Sequence, residues 1–234
     1  MARTFQDVIK QYDGVVKGID AKARGDRERA YGGSVRAGKG ALVEAIARDL
    51  VRLAWESAGG DSDRLSFGHK TLKVPLNRDY LDRIEIREVA DYIREHIDEY
   101  TYGIRIDVPV LIDESLVIGI ECKAYTENAM LKRILVDFTL LRQIFPQIAC
   151  VLLQLESQLT GDYSQPDKPI VYGSRSTHTL LSHFDIDITT LLEGERRVDR
   201  PIHLKEYFKP LSKDNLQIAV TVLQDLLRRY VKNR

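Results

Sequence analysis

A run of alternating residues limits the folds that this chain can adopt. Every even-numbered residue in 104–112 is apolar, and the same parity returns in 116–122. A period of two predicts half-buried strands. Asp113-Glu114-Ser115 lies between the two runs and predicts a three-residue hairpin loop. The chain should therefore contain an antiparallel hairpin with one apolar and one polar face.

The segments after this hairpin predict how it is covered. Residues 126–145 carry an apolar stripe at helical spacing, and Pro146 ends the helix. The apolar run 148–155 is typical of a strand buried on both faces, which pairs in parallel after a crossover helix. Hairpin, helix and buried strand predict an α/β fold whose central mixed β-sheet is flanked by helices.

Other segments add helices and one basic loop. Helices are predicted over 4–19, 40–57 and 212–230, with a charged helical stretch from 80 to 100 and a short strand at 170–172. Residues 17–39 contain seven basic and three acidic side chains and five glycines. We expect a mobile loop there that follows an anionic surface, or else an ordinary solvated loop.

Composition excludes several classes of protein. The 234 residues include 35 basic and 35 acidic side chains, which excludes a uniformly basic nucleic-acid binder. Two cysteines are too few for a disulfide framework, and no apolar run is long enough to span a bilayer. We expect one domain over residues 1–234, located in the cytoplasm.

The polar face of the hairpin carries the chemistry. With a three-residue loop, paired residue numbers sum to 228, so Asp107 lies opposite Glu121 and Arg105 opposite Lys123. Two facing carboxylates repel each other unless a positive charge lies between them. Their oxygens suit Mg²⁺ better than zinc, and such an ion can activate water and neutralise a phosphodiester. The hairpin thus predicts hydrolysis of a nucleic-acid backbone.

These residues resemble the signature of the PD-(D/E)xK nuclease superfamily, an Asp on one strand and Glu-x-Lys on its hairpin partner. Ile106 precedes Asp107 where the family name has proline. The resemblance implies a restriction-endonuclease-like core over about 38–155. It also implies that Asp107 and Glu121 bind metal, with the backbone carbonyl of Cys122, and that Lys123 positions or activates the attacking water. Glu44, on the helix before the hairpin, suits a further metal ligand of the family.

Within this superfamily, the chain resembles the type II restriction endonucleases, which act as homodimers on palindromic double-stranded DNA. The resemblance implies Mg²⁺ as cofactor, and residues 156–234 would supply recognition or dimerisation elements. Arginine can contact guanine in the major groove, so base contacts are expected near the turn at 173–178, from Ser174, Arg175, Thr177 and His178. Phosphate contacts are expected from Arg36, Lys39, Lys132 and Arg133.

Other interpretations of these residues stay open. The turn at 173–178 is equally typical of a helix cap, and the basic side chains are typical of a solvated surface. For the hairpin, the alternative is an amphipathic pair whose charged face is solvated. Gln143 lies twenty residues after Lys123, a spacing found in recombination exonucleases, so an exonuclease of the same superfamily is one alternative. A non-catalytic DNA-binding protein of this fold is another.

Overall fold

The computed structural model describes residues 3–24, 28–68, 71–165 and 173–231. Side chains are described in the same ranges except at 20–34 and 36. The helices are α1 (Phe5–Arg24), α2 (Glu28–Ser57), α3 (Arg87–Glu95), α4 (Asn128–Ile144), α5 (Arg175–Leu181) and α6 (Lys213–Arg228). The strands are β1 (Leu65–Phe67), β2 (Thr71–Pro75), β3 (Thr101–Arg105), β4 (Val108–Ile112), β5 (Ser115–Glu127), β6 (Ala149–Gln158) and β7 (Asp187–Thr190).

A five-stranded mixed sheet lies at the centre of the molecule, in the order β1-β4-β5-β6-β7. The pairs β1–β4 and β4–β5 are antiparallel, whereas β5–β6 and β6–β7 are parallel. Strands β2 and β3 form a separate two-stranded antiparallel sheet. The predicted α/β fold with a central mixed sheet is confirmed, as is the parallel pairing that follows the crossover helix α4.

Helices cover both faces of the sheet. One face buries Ile118 and Ile120 of β5 with residues of α1, α2 and α6, including the fully buried Trp55. The other face packs Leu152 of β6 against α4, whose Leu135 is among the buried side chains. Each fully buried aliphatic side chain stabilises the fold by about 1.5–3 kcal/mol. Packing on both faces holds β5 in a fixed position, and β5 carries Glu121 and Lys123.

The hairpin turn is shorter than predicted. Its loop is Asp113-Glu114, with Ser115 paired to Ile112, and both loop residues have positive φ angles of 49° and 64°. Such angles are typical of a two-residue turn that follows the twist of the strands. The register then shifts between Val110 and Leu111. This irregularity restores the predicted sum of 228 beyond it, where Val108 lies opposite Ile120.

The alternating run at 104–112 is two strands rather than one. Strand β3 ends at Arg105, which lies opposite Thr71 of β2, so the predicted pair of Arg105 with Lys123 is wrong. Ile104 and Ile106 are buried on the α4 side of the sheet, whereas Val108 is buried on the α2 side. The backbone changes direction at Asp107, and apolar parity alone could not reveal this change.

The predicted basic loop at 17–39 is also wrong, because α1 extends to Arg24 and α2 begins at Glu28. Residues 25–27 lie outside the described residues. A Cβ atom on Gly38 would lie 2.6 Å from Cδ1 of Ile19, so this glycine permits close packing of α1 on α2. Tertiary packing here overrides the low helix propensity of glycine.

The remaining predictions have mixed outcomes. The helices predicted at 4–19, 40–57, 126–145 and 212–230 are found in α1, α2, α4 and α6. The stretch 80–100 is helical only over α3 and in two short 3-10 turns. The predicted strand at 170–172 lies outside the described residues, and β7 was not predicted. No helix among the described residues is long and apolar enough to cross a membrane.

Candidate active site

Asp107 lies where the pairing of β4 with β5 ends. It precedes β4 by one residue, and its Oδ2 accepts a hydrogen bond from the backbone N–H of Cys122 at 2.9 Å. Strand β5 continues beyond this point to Glu127, paired on its other edge with β6. The Asp107 carboxylate thus takes the place of a ladder carbonyl and is held against β5.

Lys123 connects the two predicted carboxylates. Its Nζ lies 3.4 Å from Oδ2 of Asp107, and it donates a hydrogen bond to Oε1 of Glu121. The backbone carbonyl oxygen of Cys122 is also 3.4 Å from Nζ. One ammonium group is therefore surrounded by three oxygens, from two carboxylates and one carbonyl. These are the three metal ligands that the resemblance to the nuclease superfamily implies.

The site is partly closed to water. The side chains of Asp107, Glu121 and Lys123 are 17%, 19% and 27% exposed. Burial raises the pKa of Glu121, and the charges of Asp107 and Asp137 raise it further against the opposing effect of Lys123. Burial alone would lower the pKa of Lys123, but the two carboxylates outweigh it and the net shift is upward. Lys123 is accordingly an ammonium ion at neutral pH.

Asp137 is an acidic residue whose charge acts on the site, and the sequence analysis missed it. It lies on α4, and its charge contributes to the raised pKa of Glu121. The hydroxyl of Tyr102 lies 3.5 Å from its Oδ1, and Nε of Arg133 lies 3.9 Å from its Oδ2. Only the packing of α4 on the sheet brings Asp137 near Glu121, so no local sequence pattern could have identified it.

The donor set at this site fits a hard divalent cation. Among the described residues, no group of three His, Cys, Asp or Glu side chains could hold a metal ion. The three oxygens around Lys123 nevertheless converge on one positive charge, and they are the donor type that Mg²⁺ prefers. Asp107, Glu121 and the carbonyl of Cys122 would hold such an ion.

Glu44 lies on α2, near the hairpin. Its Oε2 forms an ion pair of 3.3 Å with Arg48, and its side chain is 20% exposed. Burial raises the pKa of the Cys122 thiol, and the charge of Glu44 adds to that effect. Glu44 is therefore within electrostatic range of β5, although it does not complete a three-carboxylate group with Asp107 and Glu121. Its role as a metal ligand stays a prediction.

A cleft of about 460 Å³ adjoins the polar end of the hairpin and is lined by both Lys123 and Lys39. Nζ of Lys39 lies 3.4 Å from Nδ1 of His203. Lys132 and Arg133 are exposed on α4, which is compatible with phosphate contacts. The side chain of Arg36 lies outside those that the structure describes.

The turn at 173–178 caps helix α5, as the alternative interpretation proposed. Oγ of Ser174 accepts a hydrogen bond from the backbone N–H of Thr177 at 3.2 Å. Thr177 is 1% exposed and its hydroxyl donates to the carbonyl of Leu159, so in this structure it does not face DNA. His178 is half-buried and stacks on Tyr163, whereas Arg175 is exposed. Base contacts from this turn stay a prediction, centred on Arg175.

The exonuclease alternative, which rests on the spacing of Gln143 from Lys123, gains no support from the geometry. Gln143 is exposed on α4. The α4 side chain that influences Glu121 is Asp137.

Comparison with known proteins identifies the family. No family model matches the chain. The chain is 49% identical over 231 residues to "Type II restriction enzyme DdeI" of Desulfomicrobium norvegicum, covering 95% of each protein. The chain therefore belongs to the type II restriction enzymes. The predicted class, a site-specific deoxyribonuclease that acts on DNA, is confirmed.

Among solved structures, the chain is similar to one described as "native BbvCI A2B2 tetramer at low resolution". The match has a TM-score of 0.34 and 13% identity, and it covers 97% of this chain and 85% of that chain. At this TM-score the similarity supports no conclusion about assembly.

Proposed function

We propose that Asp107, Glu121 and Lys123 form the active site at which this restriction enzyme hydrolyses phosphodiester bonds of double-stranded DNA, with Mg²⁺ as cofactor. The observation that carries the proposal is the position of the Lys123 ammonium among oxygens of Asp107, Glu121 and Cys122. A structural ion pair needs one carboxylate. Two carboxylates and a carbonyl around one lysine instead form a site suited to positive charge.

Each residue of the proposed active site has its own role. Asp107 and Glu121, with the carbonyl of Cys122, bind the cation, and the hydrogen bond from the N–H of Cys122 orients Asp107. Mg²⁺, when bound, neutralises charge on the phosphate and makes a nearby water more acidic. Lys123 holds the attacking water by a hydrogen bond and stabilises the negative charge that develops on the phosphate oxygens. Water adds to phosphorus as the bond to one deoxyribose oxygen breaks, leaving a phosphomonoester and a hydroxyl.

We also propose that the enzyme acts as a homodimer in the cytoplasm. The described residues hold one hairpin of this kind, whereas a double-strand break requires two phosphodiester bonds to be hydrolysed. Two copies related by a two-fold axis would place one site on each strand of a palindromic duplex. Measurement of molar mass by light scattering, with and without DNA, tests this: the mass of one chain in the DNA complex would contradict it.

Incubation of the purified protein with Mg²⁺ and unmodified circular DNA tests the proposed activity. A site-specific endonuclease produces discrete fragments whose ends share one sequence, and Ca²⁺ in place of Mg²⁺ should give no cutting. An exonuclease would leave closed circles intact and degrade linear DNA progressively. Complete cutting in excess chelator would contradict the cofactor. Glu121→Gln provides the matched control because it keeps the size of the side chain and removes its charge.

A further inference from the structure

A second set of basic side chains lies in the cleft beside Lys123. Lys39 of α2 and Arg196, from the segment after β7, both line this cleft of about 460 Å³. Among the described residues, neither has a carboxylate within ion-pair distance. Two cationic side chains beside a catalytic lysine, neither of them ion-paired with a carboxylate, are suited to an anionic ligand.

The cleft does contain one carboxylate, and it is neutralised. Glu156 of β6 is 3% exposed, and its Oε1 lies 3.0 Å from Nζ of Lys209. Lys123 is likewise paired with Asp107 and Glu121. Lys39 and Arg196 are in neither of these ion pairs. Burial lowers the pKa of Lys39, Arg196 lowers it further, and the charge of Glu156 opposes both effects. A phosphate bound beside Lys39 would likewise favour its charged form.

Arg196 is held in a defined position. Its guanidinium carbon lies 3.7 Å from the ring centroid of Tyr125, which is two residues after Lys123 on β5. Its NH1 group donates a hydrogen bond to Oε1 of Gln158, and its backbone N–H donates to the carbonyl of Ser157 at 2.7 Å. The ring stacking and strand contacts fix the guanidinium relative to β5, and therefore relative to the catalytic lysine.

Arg196 also borders a second, larger cleft. This cleft measures about 830 Å³. Its lining includes the basic Arg197 and Arg200, the acidic Glu195 and Asp199, and Lys209, which is paired with Glu156. Arg196 thus stands at the junction of the larger cleft with the cleft that contains Lys123. A DNA strand that enters the active site through the larger cleft would pass Arg196 before it reaches Lys123.

We propose that Arg196 and Lys39 form a second phosphate-binding subsite, which holds the backbone phosphate neighbouring the scissile one and so positions the scissile phosphate at Lys123. The proposal rests on the proposed function, since it assigns part of the same substrate to residues outside the catalytic hairpin. Arg196 and Lys39 are positioning residues. They act on the reaction by fixing the register of the DNA strand.

The test uses duplexes in which one backbone phosphate at a time is replaced by an uncharged methylphosphonate. The cleaved site is first located by sequencing fragment ends, and the duplex is built around it. Binding of the full-length protein is then measured in excess chelator for the wild type, Arg196→Gln and Lys39→Gln. Lys10→Gln is the matched control, because Lys10 is exposed on α1 and lines neither cleft.

We expect one phosphate adjacent to the scissile bond at which the methylphosphonate weakens wild-type binding roughly tenfold. The same replacement should cause little further loss of DNA affinity in Arg196→Gln and Lys39→Gln, because these variants already lack the contact to that phosphate. The slope of log affinity against log salt should decrease in magnitude by about 0.9 for each contact removed. For Lys10→Gln, each methylphosphonate should weaken DNA binding by the same factor as for the wild type.

Arg196→Lys separates phosphate binding from structural support. Lysine keeps the charge but loses most of the stacking on Tyr125. Replacement of the same phosphate by a methylphosphonate should therefore still weaken DNA binding by this variant. A melting curve of each variant shows whether it is folded. Additive losses at every phosphate, or a wild-type salt slope in folded Arg196→Gln, would overturn the subsite while leaving cleavage by the wild type intact. A wild-type protein that cuts no DNA would instead overturn the proposed function, and the subsite with it.

Discussion

The Asp107 side chain is hydrogen-bonded to the backbone of Cys122, with 2.9 Å between Oδ2 and the amide nitrogen. This contact joins the end of one strand to the middle of another and places a carboxylate beside Glu121 and Lys123. Cys122 is 5% exposed, so its N–H has little access to water. The same oxygen therefore has a structural role and a proposed catalytic one, and the two roles can be separated by substitution.

Asp107→Asn and Asp107→Ala should differ in stability and agree in activity. Both remove a charge needed to bind the cation, so both should lower the single-turnover cleavage rate by at least about 10²-fold. Asparagine keeps an oxygen that accepts from the N–H of Cys122, whereas alanine leaves that N–H unpaired at a cost of about 1–3 kcal/mol. Urea unfolding measures the difference. Equal free energies of unfolding for the two variants would show that the hydrogen bond contributes nothing.

Lys123→Ala should slow cleavage more than it changes DNA binding. Loss of the ammonium removes a hydrogen bond to the water and a charge near the phosphate, so a decrease of about 10²-fold or more is expected. Lys73→Ala is the control, because Lys73 is exposed on β2 in the separate small sheet. Single-turnover rates at saturating Mg²⁺ provide the measurement. A folded Lys123→Ala protein that cuts at the wild-type rate would refute the assigned role.

The raised pKa of Glu121 predicts that protons compete with metal ions. Burial shifts the pKa of this carboxyl above its ordinary value of 4.5, so a fraction is protonated at a pH where an exposed glutamate is fully ionised. A cation binds the ionised form and displaces that proton. Affinity for Mn²⁺ should therefore fall as the pH is lowered from neutral toward the pKa of Glu121. Calorimetry in buffers of different ionisation enthalpy measures the released protons; constant affinity across this range would contradict the prediction.

The two cysteines should be unreactive in the folded protein. Burial raises the pKa of Cys150 to about 11 and raises the pKa of Cys122 well above its ordinary value. Two units above the ordinary 9.0 of a thiol leave about 100-fold less thiolate for Cys150 at mildly alkaline pH. Reaction with an aromatic disulfide should be slow in the native protein and complete in denaturant. Rapid native labelling would show that β5 or β6 opens readily.

The sequence predicted the parts of the site that depend on strand parity. Glu121 and Lys123 share a face of β5 because they are two residues apart, and the crossover after them required a parallel neighbour. The break at Asp107 was not predictable, because Ile104 and Val108 obey the same alternation although they are buried on opposite sides of the sheet. The alternation of apolar residues indicates which side chains are buried, but not the side of the sheet on which they are buried.

Local sequence patterns could not predict the residues that distant segments contribute to the site. The charge of Asp137 acts on Glu121 because α4 packs on the sheet, and Arg196 lines the same cleft as Lys123 although it follows β7 in the chain. The predicted loop at 17–39 failed for a related reason. Its glycines suggested flexibility, yet Gly38 permits the close packing of two helices.

The most direct test of the proposed active site is a Mg²⁺ titration of single-turnover cleavage, with DNA affinity measured on the same samples of wild type, Asp107→Asn and Glu121→Gln. We predict that wild-type cleavage rises with Mg²⁺ to saturation. Both variants should bind the same duplex yet remain at least about 10²-fold slower at every concentration. Variants that bind DNA and reach the wild-type rate with Mg²⁺ would show that these carboxylates are not the cation site.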